Sequence, residues 1–274
     1  SSTSRGIGDV YKRQNICRVF TMNLDNFRKW EMNPMSYSRL NSFKSYPCQF
    51  IINKIFGINT GTNPPMHTGN SVEQMLYDHM IGEERPLKTH LDEFAEQLKG
   101  FHDQEQVVKY LELIPKFFAQ CKPLFEKMGN YKIQSYQEEL HTEILGIPFI
   151  GYSDFVFDMG DELFVYDLKT KGRMAINHSD KLQQWVYRKA LEEKYNKKVT
   201  CHLYIVTPTK HHFEEIVFND SHEIEIHNIL KGMNKAFELC NDKKDFAYLY
   251  QPDTSSFIWN SPNMVKARQE IWGI

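Results

Sequence analysis

The sequence predicts an α/β domain in which a mixed central β-sheet is covered by helices on both faces and preceded by a helical part. Two observations indicate this class. Helical hydrophobic patterns come first along the chain, and segments rich in aromatic and β-branched residues follow, with one helical pattern among them. With 274 residues and 41% hydrophobic content, the chain is long enough to bury one full core.

The helical N-terminal part is predicted from apolar spacing and from residues that favour helix starts. Ser36 opens the first pattern with a capping side chain, and Pro47 stands before the second. A segment rich in Gly, Asn and Pro at 57–65 predicts a loop. Helices are expected at 36–43, 50–56, 69–80 and 86–128, the last range being an insertion of two helices.

The sheet-forming part is predicted at about 131–240, which we expect to be the core of a single domain spanning 15–274. Its strand-like segments lie at about 131–138, 142–157, 162–169, 200–207 and 213–218. A helix at 179–195 separates the third strand from the fourth, and a helix at about 222–240 follows the fifth. Connections of this kind give a sheet with both parallel and antiparallel neighbours.

The segment 151–171 predicts a β-hairpin that places two carboxylates side by side. If a tight turn centres on Gly160 and Asp161, residues opposite each other on the two strands have numbers that add up to 321. Asp154 and Asp167 are such a pair. Their Cβ atoms would then lie roughly 5 Å apart on one face. Lys169, two residues beyond Asp167, points to the same face.

Such a carboxylate pair requires an explanation, because like charges directly opposite each other destabilise a sheet. A protein keeps them when a cation binds between them or when they share a proton. The alternative is an exposed hairpin whose polar face carries Asp154, Asp167 and Lys169 without a function.

The Asp154…Asp167-x-Lys169 pattern resembles the signature of the PD-(D/E)XK nucleases, which carry it on such a hairpin. Three further elements resemble the RecB-type branch of that family. They are Ser38-x-Leu40-x-x-Phe43 with Pro47 and Cys48 in reversed order, Gly69-x-x-Val72-Glu73 with Glu where His is common, and Gln183-x-x-x-Tyr187. The resemblance covers about 36–218 and implies a restriction-endonuclease-like fold.

The resemblance also implies a catalytic site and a metal ion. Asp154 and Asp167 would bind Mg²⁺, with Mn²⁺ as a substitute, together with the backbone carbonyl of Leu168. Lys169 would position or deprotonate the attacking water and stabilise developing charge. Glu73 would be a further catalytic carboxylate and metal ligand; the alternative is a solvated Glu on an amphipathic helix.

Gln183 and Tyr187 are four residues apart and share one face of a helix. The resemblance assigns them to substrate binding at the rim of the site, in contact with phosphate or supporting Lys169. The alternative is an ordinary polar and aromatic surface pair.

Other charged and polar groups have simpler interpretations. We expect Glu138 and Glu139 to be strand-edge carboxylates and His211-His212 to lie in a solvated turn. The pairs Lys197-Lys198 and Lys243-Lys244 are expected to be solvated. Arg173 extends the basic edge after Lys171 and is a weak candidate for DNA contact.

The cysteines predict neither a disulfide framework nor an iron–sulfur cluster. No Cys-x-x-Cys pair occurs among Cys17, Cys48, Cys121, Cys201 and Cys240. Some RecB-type nucleases hold a cluster with one early and three late cysteines, but only Cys201 and Cys240 follow residue 200. We therefore expect no cluster.

Charge and hydropathy limit the possible partners. A formal charge of −2 gives no global basic field, so DNA must be bound in a local groove. No apolar run approaches the roughly 20 residues that span a bilayer, and no secretory pattern is present. We expect no membrane association and a cytoplasmic location, in a bacterial cell or a phage-infected host.

Residues 1–14 are expected to lie outside the native protein. The segment Asp9–Gln14 resembles the literal translation of a transposase-end adapter used in sequencing libraries.

The predicted function is a divalent-metal-dependent DNA nuclease, with an exonuclease in recombination, repair or phage DNA processing favoured over an endonuclease. Two alternatives stay open. One is a nuclease fold that binds nucleic acid without cutting it, which the intact Asp154, Asp167 and Lys169 argue against. The other is an interaction protein whose hairpin carboxylates have no metal.

Overall fold

The structure is a computed structural model that describes residues 22–59, 63–83, 85–128, 131–255, 259 and 261–274. The segment 1–14 expected to be adapter-derived lies outside these residues. Among the helices of the described part, none combines the length and the apolar character that crossing a bilayer requires.

The helical N-terminal part is present as predicted, with Ser36 capping one helix and Asn63 another. Two helices fill the predicted insertion, and the second continues through Pro115 and Pro123. The elements are α1 (Leu24–Lys29), α2 (Tyr37–Ser45), α3 (Pro47–Phe50) with a π-helical turn (Ile51–Ile55), α4 (Pro64–Met80), α5 (Leu87–Gln97) and α6 (Gln104–Met128).

Five strands form one mixed sheet in the order β1-β2-β3-β4-β5. Antiparallel pairing joins β1 to β2, β2 to β3 and β4 to β5, whereas β3 and β4 run parallel. The strands are β1 (Lys132–Ile144), β2 (Ile147–Asp158), β3 (Glu162–Thr170), β4 (Lys198–Val206) and β5 (His211–Glu215).

Two details of the predicted sheet are wrong. The first turn lies at Leu145-Gly146 and not near residue 140, because these two residues adopt φ of +53° and +79° and close a tight hairpin. An apolar Leu in such a turn gave no signal in the sequence. His211 and His212 begin β5 instead of forming a turn, since their backbones pair with Val206 and Ile205.

Helices cover both faces of the sheet. On one face α7 (His178–Tyr195) packs on a core that includes Val156, Val165 and Leu203. On the other face α4, α5 and α6 cover Phe155, Phe157 and other residues of β2–β4. The chain continues with α8 (Asp220–Leu239), α9 (Lys243–Leu249) and α10 (Pro262–Trp272).

Candidate active site

The hairpin of β2 and β3 has the register that the sequence predicted. Phe155 pairs with Tyr166, and the pairing continues to a two-residue turn at Gly160 and Asp161. Gly160 has φ of +93° and Asp161 has no positive φ, the pattern of a II′ turn. Asp154 and Asp167 are the next residues along the two strands and are therefore opposite each other.

The Asp154 carboxylate is fixed by the neighbouring strand. Its Oδ2 accepts a hydrogen bond of 2.9 Å from the backbone N–H of Leu168. The N–H and C=O of a strand residue point to the same edge, so the carbonyl of Leu168 also points towards β2. Two oxygen donors thus lie at this end of the hairpin.

The Asp167 carboxylate is buried, with only 1% of the residue exposed. Its Oδ2 lies 2.6 Å from Nζ of Lys169 in an ion pair. Its Oδ1 accepts no hydrogen bond from any residue that the structure describes. A buried carboxylate oxygen without a partner is costly.

Glu73 joins the hairpin from α4 and is buried, not solvated. Its Oε2 accepts a hydrogen bond of 2.8 Å from Nε2 of Gln137 on β1. One turn earlier on α4, Gly69 faces β3, where a Cβ on it would stand 3.5 Å from Oγ1 of Thr170. The small residue lets α4 approach β3 closely enough to bring Glu73 to the carboxylate pair.

All three carboxyl groups have raised pKa values. Burial and the charges of Asp154 and Asp167 hold the pKa of Glu73 well above its usual value. Burial and the charge of Asp167 raise the pKa of Asp154 to about 7. Burial also raises the pKa of Asp167, although Lys169 opposes that shift.

Lys169 provides the positive charge of this cluster and is held by α7. Burial lowers its pKa, but the Asp167 and Asp154 carboxylates outweigh burial and raise the pKa above its usual value. Its Nζ lies 3.3 Å from Oε1 of Gln183, and Nε2 of Gln183 donates to the hydroxyl of Tyr187 at 2.7 Å. The three side chains form one chain of contacts.

Gly151 gives Tyr187 the room that this chain of contacts needs. A Cβ at Gly151 would stand 2.6 Å from Cε1 of Tyr187, closer than such atoms can approach. The ring is buried, with 7% of the residue exposed, so it has little freedom to move aside.

The model of the PD-(D/E)XK nuclease superfamily matches residues 34–251. The chain belongs to the PD-(D/E)XK nuclease superfamily. Membership implies a nucleic-acid substrate and hydrolysis of phosphodiester bonds, a reaction for which this superfamily generally uses divalent metals.

One solved structure shows the same fold. A candidate exonuclease from Eubacterium rectale is similar at 15% identity and a TM-score of 0.52, covering 87% of this chain and 97% of its own. The protein SSO0001 is similar at 13% identity and a TM-score of 0.35, over 68% of this chain and 96% of its own. A search of curated protein sequences finds no match to the chain.

The donor set of the cluster suits a hard divalent cation. Mg²⁺ prefers oxygen ligands and keeps several waters, so it needs two or three carboxylates and no closed cage. Within the described ranges, no three His, Cys, Asp or Glu side chains already enclose a metal position. The unpartnered Oδ1 of Asp167 and the raised pKa values of Glu73 and Asp154 are nevertheless what a site lacking positive charge shows.

The weaker candidates from the sequence lie outside the carboxylate cluster. Glu138 accepts a hydrogen bond from Tyr195 and pairs with Lys194, and Glu139 accepts one from Tyr152. Lys197 and Lys198 pair with Asp158 and Glu162 at the turn end of the hairpin. Lys243 and Lys244 begin α9, His211 and His212 are exposed on β5, and Arg173 is exposed in the loop after β3.

Four cysteines lie within the described residues, and each is a buried free thiol in its own setting. Cys48 packs with Trp259, Cys201 lies in β4, and Cys240 follows α8. The absence of an iron–sulfur cluster stays a prediction, which the absorbance of the purified protein near 400 nm would test.

Gln137 is a residue of the site that the sequence did not reveal. It contacts Glu73 across 64 residues of chain, and nothing in its local pattern distinguishes it from other strand residues. Its signal is conformational, a φ of +49° inside β1, and only the structure contains that information.

Proposed function

We propose that this protein is a divalent-metal-dependent DNA nuclease of the RecB-type branch and that it acts as an exonuclease. The observation that carries the proposal is the convergence of Glu73, Asp154 and Asp167 with Lys169 at one end of the β2–β3 hairpin. Three carboxylates around one lysine leave excess negative charge that a hard cation would neutralise.

In this proposal Asp154 and Asp167 are the primary metal ligands, with the carbonyl of Leu168 and the carboxylate of Glu73 completing the protein's donors. A bound Mg²⁺ would supply neutralisation of the charge on the phosphate and activation of the attacking water. The hydrogen bond from the Leu168 N–H keeps Asp154 Oδ2 oriented, so the two strands hold both ligands without further support.

Lys169 is proposed to orient the attacking water and to stabilise charge that develops on the phosphate. Its raised pKa keeps the amine protonated, which favours this role over that of a general base. Gln183 holds Nζ of Lys169 from the side of α7, and Tyr187 holds Gln183. These two side chains border the site where substrate phosphates would lie.

A catalytically silent DNA-binding protein with the same fold is the second candidate. It predicts DNA binding without cleavage at any metal concentration. The close contact of Lys169 with Asp167 supports a working nuclease instead, because binding alone does not require a half-buried lysine beside a buried carboxylate.

The test is incubation of end-labelled linear DNA and of circular DNA with Mg²⁺ or Mn²⁺. We expect short products from linear DNA only, which marks an exonuclease, and no products in the presence of a chelator. Nicked or linearised circles would instead indicate an endonuclease. The matched control is Asp167→Asn, which keeps the shape of the side chain, and cleavage by this variant at the wild-type rate would contradict the proposal.

A further inference from the structure

Gln137 has a backbone conformation that its residue type disfavours. Its φ of +49° is in the left-handed region, where a residue other than Gly is uncommon. The pairing of β1 with β2 joins Tyr136 to Phe155 and Glu138 to Ser153 but skips Gln137 and Asp154. The irregularity therefore lies directly opposite one of the proposed metal ligands.

The irregularity also changes the faces of β1. In a regular strand, residues two apart lie on the same face. Tyr136 stacks on Tyr77 of α4 at 4.1 Å between ring centroids, whereas Glu138 accepts a hydrogen bond of 2.6 Å from Tyr195 of α7 on the opposite face. Gln137, with its left-handed backbone, lies between the two.

The side chain of Gln137 uses this break to reach the carboxylate cluster. Its Nε2 lies 2.8 Å from Oε2 of Glu73, while the residue itself is exposed at the mouth of the site. Among the residues that the structure describes, Gln137 is the side chain that donates a hydrogen bond to the Glu73 carboxylate. A neutral donor orients one oxygen of Glu73 without neutralising the charge that attracts a cation.

We propose that Gln137 is a positioning residue for Glu73, whose carboxylate it holds at the edge of the Asp154 and Asp167 pair. This inference rests on the proposed function, since the held carboxylate acts only if a cation binds there. Residues that orient metal ligands typically contribute about 10–100-fold to metal affinity or activity, and we expect the same range for Gln137.

The test is calorimetric titration of Mn²⁺ into the metal-stripped full chain, without DNA. Gln137→Leu removes the donor at similar size, and Gln137→Gly removes it while relieving the left-handed backbone. Both variants should raise the Kd for Mn²⁺ by about 10–100-fold. The matched control is Gln134→Leu, because Gln134 is on the same strand but its amide bonds to Tyr195, and its Kd should equal that of wild type.

Two readouts separate positioning from a purely structural role. Gln137→Gly should melt at the same temperature as wild type or higher when metal-free, so stability and metal affinity move in opposite directions. In a Glu73→Ala background, Gln137→Leu should weaken Mn²⁺ binding no further, since its effect passes through Glu73.

The inference is overturned if Gln137→Gly binds Mn²⁺ like wild type, or if the effects of Gln137→Leu and Glu73→Ala simply add. If Mn²⁺ binding depends on Asp167 but not on Gln137, only this inference fails. If the wild-type chain binds no Mn²⁺, the proposed function fails together with it.

Discussion

The carboxylate cluster has two halves that are built differently. Asp154, Asp167 and Lys169 lie on one hairpin, where backbone pairing and a 2.6 Å ion pair fix them. Glu73 comes from α4 and is held by one hydrogen bond from an exposed residue of β1. The hairpin half is therefore rigid, and the half formed by α4 and β1 is adjustable. Removing either carboxylate of the first half should abolish the reaction, whereas changes in the second half should only reduce it.

The largest effect is expected from Asp154→Asn and Asp167→Asn, each of which should abolish cleavage. Each removes a formal charge from the proposed metal site while keeping the shape of the side chain. The measurement is cleavage of labelled linear DNA across a Mg²⁺ titration. Activity near wild type for either variant would show that its carboxylate is not a ligand, and the rigid half would then be wrongly assigned.

Glu73→Ala should weaken Mn²⁺ binding at least as much as Gln137→Leu does, by about 10-fold or more, and leave the fold intact. The apolar residues of α4, among them Val72 and Leu76, stay buried without it. Glu112→Ala, an exposed carboxylate on α6, is the control and should bind Mn²⁺ like wild type. An affinity equal to that of wild type would show that Glu73 is not a ligand.

Gly151→Ala should slow turnover without changing metal affinity. The added Cβ would clash with the ring of Tyr187 and displace the contacts from Tyr187 through Gln183 to Lys169. Gly232→Ala on α8 is the control, since a Cβ there meets no atom within 4 Å. A wild-type rate for Gly151→Ala would mean that these contacts do not support the lysine.

The smallest effect concerns the stability of the metal-free protein as a function of pH. Folding raises the pKa of Asp154 from 3.8 to about 7. The folded state therefore binds the proton more tightly, and its stability should fall as the pH rises from about 4 towards 7. Asp154→Asn should show a weaker decline in chelator-treated melts. An equal decline would mean that Asp154 is already ionised at low pH.

The same division between the two halves explains what the sequence could predict. The register of Asp154 with Asp167 depends on one short turn, and Gly160 identifies that turn. Hydrophobic periodicity is sufficient to predict the mixed sheet and the helices that cover it. The Gln183 and Tyr187 pair followed from helical spacing, and their hydrogen bond is present.

What the sequence could not predict depends on contacts between distant segments. Gln137 and Glu73 meet only because α4 packs at the end of the sheet and β1 breaks its alternation. The steric need for Gly151 also arises from a partner on another element, Tyr187. Neither a periodicity nor a motif encodes such contacts.

In the proposed mechanism Lys169 acts beside a metal held by Asp154 and Asp167, and Lys169→Ala tests this role most directly. The control is Lys189→Ala, whose lysine pairs with Glu193 on the outer part of α7. Without the ammonium of Lys169, the Asp167 carboxylate should still attract a cation. Binding of Mn²⁺ should therefore persist, and so should binding of DNA in the presence of Ca²⁺. Cleavage should fall by roughly 10²–10⁴-fold, the usual contribution of a positioned acid–base group. Cleavage within a few-fold of wild type would contradict the mechanism, even with metal binding intact.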